Sequence, residues 1–290
     1  MAVGIFTVSR HIKDVINDGY EVKALQYLYG GWYVYKSHPV AFLSVTCMLS
    51  LVIEALSYLV PAPLSSGSLR VELLYTLQLE MARLCLFHGV EALMLACTAV
   101  MAWQRLENRP LSLLAFCKDW RSAGRIVVCA ALITLVAWTP IMLMTSLPSI
   151  GGALAARVSL PMIFIASLIG VALFLYAMVS YVFAYFLLID RKTGIWEALE
   201  GSRRVVNGHW WKIGGVMLLF VLLNVETYCL FGSALEIASP GFGFNWLCMT
   251  DMAGGQQTVM LIILTALGRA ISGCVLAVAY ADIYGAPTIS

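Results

Sequence analysis

This sequence predicts an all-α polytopic membrane bundle, and three observations carry the prediction. Hydrophobic residues make up 61% of the 290 and charged residues only 12%, about half the quarter that is usual in soluble domains. Six apolar stretches, near 40–60, 83–104, 125–147, 158–189, 213–235 and 257–281, each reach the roughly 20 residues a helix needs to cross a hydrocarbon core of about 30 Å. Fourteen of the eighteen Lys and Arg residues fall in the segments on one side of those stretches, which fixes a topology by the positive-inside rule. The runs are continuous and rich in Leu, Ala, Met and Gly, unlike the short alternating segments of a barrel.

The elements follow in order. Residues 1–39 form a cytoplasmic, amphipathic N-terminal segment and residues 40–290 the six-helix transmembrane domain. The first 38 residues carry Arg10, Lys13, Lys23 and Lys36 and no apolar stretch, so a cleavable signal peptide of the usual kind is not expected. Apolar residues at 8, 12, 15 and 16 mark an amphipathic turn there. Arg105, Arg109, Lys118, Arg121 and Arg125 lie between the second and third spans, and Arg191, Lys192, Arg203, Arg204 and Lys212 between the fourth and fifth. Both termini are therefore expected in the cytoplasm.

The outer connections carry turn residues, as in Pro61-Ala-Pro-Leu-Ser-Ser-Gly-Ser68, Pro148-Ser-Ile-Gly-Gly152 and Pro240-Gly-Phe-Gly243. Three inner segments share another plan, an interfacial helix, a break and then a span. They are Gly31-Trp-Tyr-Val-Tyr-Lys-Ser-His-Pro39, Cys117-Lys-Asp-Trp-Arg-Ser-Ala-Gly-Arg125 and Gly201-Ser-Arg-Arg-Val-Val-Asn-Gly-His-Trp-Trp-Lys212. The chain thus reads as three helical hairpins in tandem, with cytoplasmic amphipathic interfacial helices. Trp32, Trp103, Trp120, Trp196, Trp210 and Trp211 crowd the inner interface as an aromatic belt. Of these, Trp32, Trp120, Trp196, Trp210 and Trp211, with Arg203 and Arg204, are the expected interfacial anchors.

An ionisable side chain near mid-bilayer costs about 2.5 kcal/mol or more on insertion scales and calls for a partner. Glu91, Glu226 and Arg269 fall near the middle of the second, fifth and sixth spans and form the expected intramembrane polar cluster. Arg269 is expected to pair with Glu226, with Glu91 as the competing partner. Glu54, Arg83 and His88 form a secondary polar group nearer the outer side, and His88 shares a helix face with Glu91, three residues on. Gly268 with Ser272, and Gly273 with Ala277 and Ala281, are small residues four apart that let helices approach closely, which places the sixth helix inside the bundle. No span carries the Gly or Pro interruption typical of midplane binding sites. Pro140 is expected to kink its helix.

The inner-face pattern Ala198-Leu-Glu-Gly-Ser-Arg-Arg-Val-Val-Asn-Gly-His-Trp-Trp-Lys-Ile-Gly214, the Gly31-Trp…Lys36-Ser-His-Pro39 entry to the first helix and the closing Tyr280-Ala-Asp-Ile-Tyr-Gly285 resemble the YciC-like group of bacterial six-span inner-membrane proteins. The resemblance implies a bacterial inner membrane and an all-helical bundle, and carries over no catalytic residue.

Catalytic signatures are lacking in the sequence: there is no HExxH, GxSxG or phosphate-binding glycine loop. No catalytic residue, metal ligand set or cofactor is therefore expected. Of eight cysteines, Cys229 and Cys248 fall near the outer face, where a disulfide forms if that compartment is oxidising. The basic residues follow the membrane bias and form no cluster suited to nucleic acid. The expected function is that of a non-enzymatic accessory, assembly or scaffold component that packs against membrane lipids and other integral membrane proteins. The alternative is a small-solute or proton-coupled transporter that uses Glu91, Glu226 and Arg269. A third reading, an intramembrane lipid-modifying enzyme, requires Glu54, His88 and Glu91 to converge on a headgroup-sized pocket.

Overall fold

A computed structural model of the chain describes residue 15 and residues 20–59, 69–111, 120–150, 160–219 and 255–285. The regular structure of the described residues is entirely helical. The helices are α1 (Ala24–Ser37), α2 (Pro39–Leu59), α3 (Leu69–Leu106), α4 (Trp120–Ile150), α5 (Leu160–Ser180), α6 (Ala184–Asp190), α7 (Ile195–Asn207) and α8 (Gly255–Tyr284), with a further helical stretch at 210–219. Among the described residues, three segments are long and apolar enough to cross a membrane, Met81–Leu106, Leu168–Asp190 and Ile262–Tyr284. A fourth is formed if α1 and the first part of α2 are taken as one bent span. The fifth expected span starts within 210–219, and its remainder lies outside the described residues.

Local chemistry explains the first break. A residue before proline is pushed out of the α region, and His38 adopts φ −146° and ψ 59° before Pro39 opens α2. Proline suits the first helical position, since its missing N–H would have no partner there. The chain turns by 94° between α1 and α2. α1 then packs on the C-terminal half of α8. Tyr27 Oη donates to Asp282 Oδ2 at 2.9 Å, and a Cβ at Gly31 would fall 2.6 Å from Val275 Cα.

α8 packs on α1, α2 and α3. Its small-residue stripe is buried, with Ala270, Cys274 and Ala277 all at 0% exposure. Against α3 the contacts run in parallel register. Arg269 meets Glu91, a Cβ at Gly273 would fall 2.7 Å from Thr98 Cγ2, and Trp103 Nε1 donates to Ala277 O at 3.0 Å. α3 and α4 run antiparallel, with Cys85 opposite Ala131 and Gly89 opposite Val127. α4 extends through Pro140 as one helix.

The stretch expected as one helix over 158–189 is interrupted at residues 181–183. Neither Gly nor Pro causes the break. Ser202, fully buried on α7, donates its hydroxyl to Ser180 O at 2.8 Å and accepts from Phe183 N–H at 3.2 Å. A side chain inserted into the helix ladder is an established cause of a kink. It also gives the freed backbone groups the partners they need away from water.

Candidate functional site

The described structure holds a polar cluster between α2, α3 and α8, built around Arg269. Its guanidinium pairs with Glu91, Nη2 donating to Oε1, while Nη1 lies 3.4 Å from Ser50 Oγ. His88 Nδ1 lies 3.0 Å from Glu91 Oε2, as the three-residue spacing on α3 predicts. The Glu91 carboxylate is therefore bridged on one oxygen by arginine and on the other by histidine. The cluster is not sealed, since the side chains of His88, Glu91 and Arg269 keep 25%, 31% and 26% of their surface.

Of the two carboxylates expected to compete for Arg269, the structure places Glu91 on it. Glu226 lies outside the described residues, as do Cys229 and Cys248. Arg83 sits five residues before His88 on α3 with its guanidinium 5.1 Å from the Phe87 ring. Glu54 is carried by α2. Ser50, a small polar residue inside an apolar run, is a partner that the charge pattern did not single out.

A second buried group lies at the other end of α8, where basic segments meet. Tyr280 Oη donates to Asp190 Oδ2 at 2.7 Å, with both residues buried. Arg191 stands beside them, its guanidinium 5.5 Å from the Tyr284 ring. Trp103, Phe183 and Phe186 pack around Tyr280 at centroid distances of 5.2 to 6.2 Å. The sequence signal for this group is Asp190, an acidic residue at the inner boundary of an apolar stretch, with Tyr280 and Tyr284 one turn apart on α8. The segments expected on the cytoplasmic side are tied to one another here. Arg105 Nε donates to Ser37 Oγ at 3.1 Å, Arg125 Nη1 to Lys192 O at 3.2 Å, and Tyr20 Oη to Val205 O at 2.9 Å.

The expected anchors divide by environment. Trp196 and Trp211 are 79% and 84% exposed, which is where an amphipathic ring would meet an interface. Trp32 is half-exposed on α1, and Trp120 opens α4. Trp210 stacks on Tyr176 at 6.4 Å and meets Trp211 edge-on at 4.8 Å. Trp103 belongs to the core and not to the belt, at 0% exposure, because its indole N–H reaches a backbone carbonyl of α8. Arg203 and Arg204 both bond Glu200, at 2.8 and 2.7 Å. They hold its carboxyl down to about 2 through these charge-assisted hydrogen bonds.

Among the described residues no three His, Cys, Asp or Glu side chains gather as a metal site. Compared with family models, with curated proteins and with solved structures, the chain matches none of them.

Proposed function

We propose that this chain is a non-enzymatic integral membrane protein of the bacterial inner membrane, an accessory, assembly or scaffold component of a larger membrane assembly. In this reading it has six spans in three hairpins, with both termini on the cytoplasmic side. The observation that carries the proposal is the internal closure of Arg269 by Glu91 and Ser50. The cluster thereby pins α2, α3 and α8 in register as a clasp, and its charges are met within the bundle. Exposed side chains along α5, among them Ile165, Leu168, Ile169, Val171 and Leu173, offer a continuous apolar face to lipid or to another membrane helix.

The test is purification of the full chain from its native membrane in gentle detergent, followed by mass spectrometry of what co-migrates with wild type and with Arg269→Ala. A stoichiometric membrane-protein partner of wild type is the expected result. A lone monomer or homo-oligomer overturns the reading.

The partial exposure of His88, Glu91 and Arg269 favours one second reading, a proton-coupled transporter with these three residues on its path. Proton-coupled solute flux in liposomes that Glu91→Gln abolishes would support that reading, and absence of flux in the wild type would dismiss it.

A further inference from the structure

An open groove lies where α7 ends and the helical stretch 210–219 begins, with Ala172 and Tyr176 of α5 on one side and His209, Trp210, Trp211 and Lys212 on the other. We infer that this groove binds the phosphate headgroup of an anionic phospholipid, its acyl chains lying along α5.

Charge is the first argument. The neighbouring Arg203 and Arg204 are engaged by Glu200, whereas Lys212 is exposed and has no carboxylate partner among the described residues. An ammonium at such a position is a point charge available to a phosphate.

The ring wall is the second argument. Tyr176 and Trp210 stack, and Trp211 stands edge-on to Trp210 with most of its surface uncovered. An indole so placed suits the boundary between headgroup and acyl chain.

Continuity decides between a lipid and a soluble phosphate. The α5 side of the groove continues along the same helix face into the exposed residues Ile169, Leu168 and Ile165, in steps of three or four back from Ala172, an apolar strip that a free anion cannot use and an acyl chain can. The inference rests on the membrane placement proposed above and not on a protein partner, so a lone homo-oligomer in the purification test leaves it standing.

The experiment is native mass spectrometry of the full chain released from detergent with added phosphatidylglycerol or phosphatidylcholine. Phosphatidylglycerol is expected to bind at lower concentration than phosphatidylcholine. Lys212→Gln is expected to weaken phosphatidylglycerol about fivefold, the usual weight of one lysine at an anionic surface, and Lys212→Arg to retain it. Lys192→Gln, an exposed cation outside the groove, is expected to have no effect. Equal binding of the two lipids overturns the inference, as does an equal loss in Lys192→Gln and Lys212→Gln. Displacement of the lipid by millimolar inorganic phosphate overturns it in favour of a soluble anion site. Each variant is first shown to elute as the wild type does, and the exposure of Lys212 keeps its substitution away from the core.

Discussion

Replacing Gly31 by alanine tests the packing of α1 on α8 most directly. The new Cβ would fall 2.6 Å from Val275 Cα and 2.7 Å from Val275 N, against about 3.5–4.0 Å for a relaxed contact between carbons. Those are backbone atoms of a helix packed on three sides, so no rotamer change relieves the clash and α1 must move by about 1 Å. Overpacking of this kind costs about 1–3 kcal/mol, partly offset by alanine's advantage over glycine in a helix, about 1 kcal/mol. The net expectation is a loss of up to about 2 kcal/mol, or a few degrees in Tm for a chain of this size.

Two matched substitutions calibrate the measurement. At Gly30 the nearest atom is a side-chain methyl, Val278 Cγ1 at 3.1 Å, which can turn away, so Gly30→Ala should stay within about 0.5 kcal/mol of wild type. Gly215 has nothing within 4 Å, and Gly215→Ala should gain up to about 1 kcal/mol from helix propensity alone. The assay is thermal unfolding of the three variants in one detergent, followed by circular dichroism. If Gly31→Ala melts with or above Gly215→Ala, the close approach of α1 to Val275 is wrong, and with it the place of α1 in the core.

Two further predictions address α7 and the helix break that it contacts. Ser202→Ala leaves Ser180 O and Phe183 N–H without their partner. It should cost about 1–3 kcal/mol and raise amide hydrogen exchange at residues 181–184 before it affects α3 or α8. Exchange unchanged at those amides would show that the break does not depend on the inserted hydroxyl. Glu200, with its folded value held at about 2 below an ordinary 4.5, contributes stability that is fully present above pH 4.5. That contribution is lost as pH falls through about 2. The local acid response of α7 between those values should vanish in Glu200→Gln. A carboxyl titrating by carbon-detected NMR near its ordinary value would sink the forked Arg203 and Arg204 pairing.

The sequence by itself determined the solvent and the chain's broad grammar. Runs of about 20 apolar residues have one favourable answer in hydrocarbon, a helix that satisfies its own backbone, and the described chain is helical throughout its regular structure. The small-residue spacing of Gly273, Ala277 and Ala281 marked α8 as closely packed, because only small side chains allow the approach seen at Thr98. The pairing of His88 with Glu91 follows from helix geometry alone, since residues three apart share a face. His38-Pro39 marked the break before α2 for an equally local reason.

What only the tertiary structure decided are the meetings between distant segments. Which carboxylate and which hydroxyl reach Arg269 depends on the register of α3 and α2 against α8, and a charge pattern fixes depth along a helix but not rotation about its axis. Ser202 breaking a helix about twenty residues upstream, and Asp190 meeting Tyr280 across ninety, have no local signature. Each is a single polar group whose role is set by whatever the fold places opposite it. Trp103 makes the same point. Sequence put it among the interfacial rings because it neighbours basic residues, and packing buried it because an α8 carbonyl accepts its N–H. Local periodicity is an intrachain property of the helix, whereas partner choice in a bilayer is set by side-chain packing and interhelical hydrogen bonds between elements far apart in sequence.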